Sequence, residues 1–433
     1  MLSVLKHRGL KLIFAANMIS MIGSGMNSAA VTWYVLQVTH SEVALGTLLM
    51  LQTIPALLLL PLSGVVIDRE DRRHLVMLLD AVRAIAILIV AVLAWRGVAR
   101  LWQVYLVSII VAAGFWMFWP TINALIQELT PESDFVHANS FLIAGLQGGW
   151  LIAGAAVGFL YNWIGLGGIL FIDFASYVLS FTCYLFVRKG RQTVKAATTP
   201  EKHEGAIHHY FRELREGIGY IRFRPQILLL GFGWAFFLAG MLCQGVLTAP
   251  YSDRLLQAGA YGYGWLNSGW AIGACTGAFY TAVLLRMIGQ RRAVTVSMCV
   301  LGVFLASLPL VGTHLGPAIH LARGVSVALV ISFAIYSIMG CARALGGVAI
   351  TTTMMQMVPK HFMGRVQNTF YFVGTCLQFA LSVAIGAIAH NRSLAYGFYV
   401  VGGLYLLASV LGAISTRVPE LVGVKESGDL VIG

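Results

Sequence analysis

The sequence predicts an all-α integral membrane protein, with twelve transmembrane helices set out as two pseudo-symmetric six-helix bundles. Three observations point there. Of the 433 residues, 58% are hydrophobic and only 11% charged, against about 25% charged in an ordinary soluble domain. Apolar runs recur that are long enough to cross a bilayer core, which takes roughly 20 helical residues. A long polar stretch around residue 200 splits those runs into two sets that share weak internal similarity.

In order, the runs fall at 12–36, 43–66, 74–95, 101–127, 136–161 and 166–187, then at 226–250, 262–285, 293–313, 325–357, 363–390 and 394–416. The first bundle is therefore 1–187, and the second, with a short tail, 226–433. Residues 188–225 link them. Their second part, 209–224, alternates apolar and charged residues at helical spacing, as an amphipathic helix on a membrane surface does. The basic start, Met1 to Lys11, runs straight into a segment too long for a signal-peptide core, so no cleavage is expected.

The net charge of +12 sits in short clusters between apolar runs, which marks orientation rather than a nucleic-acid surface. With the N-terminus inside, about 22 of the 29 Lys and Arg fall on the cytoplasmic side and about 5 outside. Both termini are expected in the cytoplasm. The six cysteines are scattered singly, without Cys-x-x-Cys spacing, and suit small buried hydrophobes. His203, His208 and His209 lack a fourth ligand at suitable spacing, so neither a metal nor a cofactor is expected. The absence of a Gly-x-x-x-x-Gly-Lys-Ser/Thr loop argues against an ATP site. No nucleophile–base pair argues for an enzyme.

The internal repeat lies in the loops. Gly64-Val-Val-Ile-Asp68-Arg69-Glu70-Asp71-Arg72-Arg73 follows the second run, and Arg286-Met287-Ile-Gly289-Gln-Arg291-Arg292 follows the eighth. A shift of 219 residues lays Arg72-Arg73 on Arg291-Arg292 and Asp68 on Met287. Likewise Thr130-Pro131 answers Val358-Pro359. Duplicated halves of this kind are a transporter signature. Gly64-x-x-x-Asp68-Arg69-x-x-Arg72-Arg73 resembles the signature loop of the major facilitator superfamily. Asp80-x-x-Arg83, Pro131-Glu132, Ala138-Asn139-Ser140, Phe171-x-Asp173 and Gly364-Arg365-Val366 together resemble its bacterial branch of macrolide-efflux pumps and enterobactin exporters.

In the signature loop, Gly64 lets two helices approach closely, and Asp68 can face the positive end of a neighbouring helix. The resemblance implies that this neighbour is the eleventh helix, starting near Gly364-Arg365. The set Gly64, Asp68, Arg69, Arg72, Arg73, Gly364 and Arg365 is then a conformational switch. Arginines that only anchor topology are the alternative. Four ionisable side chains stand at membrane depth: Asp80, Arg83, Asp173 and Arg343. Asp80 and Arg83 share a helix face and can pair. With Asp173 they are candidates for proton coupling. Arg343 lies deep in the second half, roughly 24 Å from the end of its helix. It is expected to face a cavity or ligand, to pair with Asp173 or Asp80 across that cavity, or to snorkel toward the surface.

Polar side chains recur on one face in span 1 (Asn17, Ser20, Ser24, Asn27) and in span 11 (Asn368, Tyr371, Thr375, Gln378, Ser382). They line a substrate cavity or bond helix to helix. Trp116 and Trp119, in the aromatic run before Pro120, suit a pocket for amphipathic molecules or an interface belt. Span 5 has Ala155 after Gly154, where the resembled antiporters carry Pro.

The resemblance implies a secondary active transporter of a bacterial inner membrane. It would export a small amphipathic compound, a drug or a secreted metabolite such as a siderophore, by alternating access with proton antiport. Protons, membrane lipids and the small-molecule substrate are its expected partners, and a monomer its expected state. A lysophospholipid transporter and a non-transporting receptor or scaffold are the alternatives.

Overall fold

The computed structural model describes residues 8–130, 135–187, 206–315, 320–322 and 325–417. Of Gly64, Asp68, Arg69 and Gly364 the backbone is helical, while their side-chain surroundings lie outside the described residues. His203 and Pro131-Glu132 lie outside the described residues, as do the side-chain surroundings of His208, His209 and Ala138-Asn139-Ser140.

The described residues are helical nearly throughout. The first half comprises α1 (Arg8–Thr39), α2 (Glu42–Arg69), α3 (Arg72–Trp95), α4 (Leu101–Leu129) and α5 (Phe135–Leu185). A linker helix α6 (Ala206–Ile221) leads to α7 (Pro225–Cys243), α8 (Gly245–Pro250), α9 (Gly259–Ile288), α10 (Gln290–Leu315), α11 (Val327–Met357), α12 (Lys360–Asn391) and α13 (Leu394–Ser415). A two-stranded hairpin, β1 (His320–Ala322) and β2 (Val325–Ser326), precedes α11, so that helix starts two residues later than the predicted 325. Among the described residues, ten helices are long and apolar enough to cross a membrane.

Local chemistry sets the breaks. Asp71 caps α3 by accepting from the backbone N–H groups of Arg73 and His74, at 3.0 and 3.2 Å. Within α5, Gly165 takes φ 62° and ψ −169°, which only glycine adopts without strain. The two arms of α5 turn back on each other there. Pro250 has no N–H to give the helical ladder, and the chain after it runs as a π-helical turn, Tyr251–Leu255. Span 7 thus continues past the predicted end at 250. The linker helix has Leu214, Gly217 and Ile221 buried, with Phe211, Arg212, Arg215 and Ile218 exposed. The buried face packs on α12, where a Cβ on Gly217 would lie 2.5 Å from Thr369 Oγ1.

The surface is inverted relative to a water-soluble fold. Phe279 is 90% exposed and Trp163 87%, whereas Arg83 is wholly buried. Such an arrangement is favourable when the surrounding solvent is hydrocarbon.

The helices alternate between two ends of the bundle. One, the linker end, carries Arg72, Arg73, Arg365 and α6; the other, the distal end, carries Glu42, Gly165 and Arg254. The halves meet closely toward the distal end. There α5 crosses α9 where a Cβ on Gly264 would lie 2.5 Å from the Gly158 Cα, so only hydrogen fits. Gly46 of α2 rests directly on the Ser382 carbonyl of α12. Trp33 of α1 stacks on Tyr263 of α9 with centroids 5.9 Å apart.

Candidate functional site

A buried polar cluster occupies the interior of the first half. Asp80 and Arg83, one turn apart on α3, form an ion pair in which neither side chain is exposed. The Arg83 Nε donates to the Leu79 carbonyl at 3.2 Å, and Ser180 Oγ donates to Asp80 Oδ2 at 2.7 Å. Arg83 Nη1 donates to the Tyr177 hydroxyl at 3.3 Å, and its guanidinium lies over the Tyr177 and Phe118 rings at 4.4 and 5.0 Å. Ser24 already donates to the Ser20 carbonyl at 2.7 Å, so the 2.8 Å bond between Ser24 and Tyr177 has Tyr177 donating. A chain of donors therefore runs from Arg83 through Tyr177 and Ser24 to the backbone of α1.

Asp173, on the second arm of α5, is fully buried beside this chain. Its Oδ2 accepts from Asn27 Nδ2 at 2.7 Å. Its Oδ1 receives only a 3.3 Å contact from Ser176, whose better bond, at 2.7 Å, goes to the Asp173 carbonyl. Small residues make the room. A Cβ on Gly114 would stand 2.5 Å from Arg83 Cδ, and one on Gly23 would overlap Ser176 Oγ and lie 2.6 Å from Asp173 Oδ1. The cluster thus holds two carboxylates against one guanidinium, with Asp173 bonded only by neutral groups.

Two members of the expected span 1 stripe, Ser24 and Asn27, join this interior. Asn27 and Ser24 are committed to Asp173 and Tyr177, while Asn17 and Ser20 are fully buried, with no hydrogen-bond partner for their side chains among the described residues. Ser24 and Asn27 thus bond α1 to the second arm of α5. Asp80 and Asp173 take partners in their own half, so neither supplies the cross-cavity pair considered for Arg343.

Arg343 stands near the middle of α11. Its Nε lies 3.0 Å from Met241 Sδ of α7, and its guanidinium 6.0 Å from the Trp270 ring centroid of α9. Among the described residues it has no ion pair. Trp116 of α4 meets Tyr371 of α12 edge-on at 5.9 Å, across the two halves, whereas Trp119 packs into the apolar core of the first half. Along α12, Asn368 is exposed, while Thr375, Gln378 and Ser382 are buried; the Ser382 backbone touches α2.

At the linker end, Arg72 Nη1 donates to the Ala124 carbonyl at 3.1 Å and lies 3.5 Å from Glu128. Arg73 clamps the end of α5, donating to the Tyr184 and Leu185 carbonyls at 2.7 Å each. Both arginines thus hold helix ends within the first half. Arg365 pairs with Glu216 of the linker helix at 2.9 Å and lies 5.4 Å from the Phe362 ring centroid.

Sequence reasoning missed the distal latch. Glu42, fully buried at the start of α2, forms ion pairs with Arg254 Nη1 at 2.5 Å and with His390 Nδ1 of α12 at 3.0 Å. Arg254 Nη2 also donates to the His40 carbonyl at 2.7 Å. The signal was an acidic residue heading an apolar run, opposite a basic residue closing another; nothing in the sequence placed them together.

An outward-facing apolar surface and a charged interior define a multi-pass membrane protein. Residues 13–381 match the family model of the Major Facilitator Superfamily. The chain belongs to that superfamily. It is 25% identical over 423 residues to the MFS-type transporter YkuC of Bacillus subtilis (strain 168), covering 94% of this chain and 92% of that one. It is 23% identical over 210 residues to macrolide efflux protein A of Streptococcus pyogenes, about half of each chain (48% and 50%). The crystal structure of a point variant of the nucleoside transporter NupG superposes with a TM-score of 0.75 at 13% identity, covering 94% of this chain and all of that one.

Proposed function

We propose that the chain is a twelve-span secondary transporter of a bacterial cytoplasmic membrane, exporting a small amphipathic compound by alternating access in exchange for protons. The count follows when α5 is taken as two spans divided at Gly165 and α9 as another. The positive-inside bias puts the linker end in the cytoplasm, so the distal latch faces outward. With that latch closed, the conformation is inward-facing, and the central path runs between α1, α4, α7 and α11. Export as the direction rests on the efflux relatives.

The observation that carries proton coupling is the unequal charge of the buried cluster. Two carboxylates and one guanidinium leave one negative charge in a dry interior, and a single proton would remove it. Asp173 is the carboxylate fit to take that proton, since Asp80 is held by Arg83 and Ser180. Its Asn27 bond ties it to α1, a helix of the central path. Substrate-induced proton release from purified protein in weakly buffered solution tests this. Release that disappears in Asp173→Asn supports coupling; release undiminished in that variant removes Asp173 from it. Because the relatives and neighbours are transporters, we assign no enzymatic activity.

A further inference from the structure

We infer that the central path recognises an amphipathic organic anion, whose acid group sits on the Arg343 guanidinium. The inference rests on the reading of that path as the substrate route and adds the substrate's charge. Between residues 226 and 419 the sequence has one acidic residue, Asp253. It is exposed in the distal π-helical turn, next to Arg254. The membrane part of the second half therefore holds no counter-ion for Arg343. Fourteen residues separate Arg343 from the end of α11 at Met357, which puts it about 21 Å from that end, close to the bilayer midplane.

Its neighbours do not replace a counter-ion. A thioether is a weak acceptor, and only Nε uses it. The Trp270 ring at 6.0 Å lies at the limit of cation–π attraction. The contrast with Arg83 is direct: that guanidinium is sealed, with a carboxylate, a hydroxyl, a carbonyl and two rings around it. Arg343 remains partly accessible, and among the described residues neither terminal nitrogen has a hydrogen-bond partner. A guanidinium fork binds a carboxylate, sulfonate or phosphate through two parallel hydrogen bonds. An uncompensated cation at the midplane also repels cationic substrates. The Met241 and Trp270 side chains beside it offer an apolar surface to the remainder of the molecule.

The test uses two xanthene dyes of opposite charge, anionic fluorescein and cationic tetramethylrhodamine methyl ester, in equilibrium dialysis with the purified full-length protein. Saturable fluorescein binding is expected to weaken at least about tenfold in Arg343→Gln and less in Arg343→Lys, which keeps the charge but loses the fork. Met241→Glu places a carboxylate beside the intact guanidinium and is expected to abolish fluorescein binding. This second route holds even if Arg343→Gln does not fold. Fluorescein binding unchanged in Met241→Glu and Arg343→Gln overturns the inference, as does wild-type protein that binds the cationic dye more tightly or neither dye. Proton-coupled movement of the cationic dye without fluorescein binding would leave the exporter standing and remove the anion. Fluorescein binding lost in Met241→Glu, with no proton movement, would do the reverse.

Discussion

Glu42 heads α2 in the first half and Arg254 closes span 7 in the second, and their ion pair joins the two halves at the distal end. The carboxylate is fully buried, while the arginine is 41% exposed. The pair is therefore asymmetric: loss of Arg254 leaves a buried charge with His390 as its remaining partner, whereas loss of the Glu42 charge frees a half-hydrated arginine.

Removing the buried charge should unlatch the distal end. In a background without the six native cysteines, Ser382→Cys lies behind the latch, against α2. Glu42→Gln is expected to raise its labelling by a membrane-impermeant maleimide about tenfold, the equivalent of roughly 1.4 kcal/mol. Equal labelling with and without Glu42→Gln would mean that glycine packing alone closes this end.

The Asp80–Arg83 pair should behave as a buried pair in a double-mutant cycle. Asp80→Asn removes the carboxylate bonded to Arg83 and should cost about 3–5 kcal/mol. Asp80→Asn with Arg83→Met should recover much of that loss. Thermal unfolding of the three variants in one detergent checks the order, and a double variant less stable than either single one would contradict it.

Gly114 makes room for the arginine. Gly114→Ala sets a methyl group 2.5 Å from the present Arg83 Cδ position and should destabilise by about 1–3 kcal/mol. Gly148 has nothing within 4 Å of its added Cβ, so Gly148→Ala should leave the melting temperature nearly unchanged.

The linker helix offers a milder case. Arg365 and Glu216 are 36% and 40% exposed, so their pair should be worth at most about 1 kcal/mol. Exchanging them, Glu216→Arg with Arg365→Glu, should restore any loss of transport seen in either single variant. A purely steric role for α6 would leave the exchanged protein as impaired as its parents.

The legible parts of the molecule follow from periodicity and solvent. The long apolar helices were readable because a bilayer demands long apolar runs. The i,i+3 pair Asp80–Arg83 was readable because one helix fixes its geometry. The rest depends on contacts between distant segments. Nothing local ties Ser180 to Asp80, Asn27 to Asp173 or Glu42 to both Arg254 and His390. Helical spacing showed that Asn17, Ser20, Ser24 and Asn27 share a face, but not that Ser24 and Asn27 meet Tyr177 and Asp173. Arg343 lay between these cases, since its lack of a counter-ion is visible in the sequence and its neighbours are not.

Proton exchange through Asp173 is tested most directly in inside-out vesicles holding a preset proton gradient. Addition of a transported compound from a panel of macrolides, dyes, siderophores and lysophospholipids is expected to collapse the gradient with wild-type protein and not with Asp173→Asn. Labelled compound crossing those same vesicles while the gradient stays intact would contradict proton antiport.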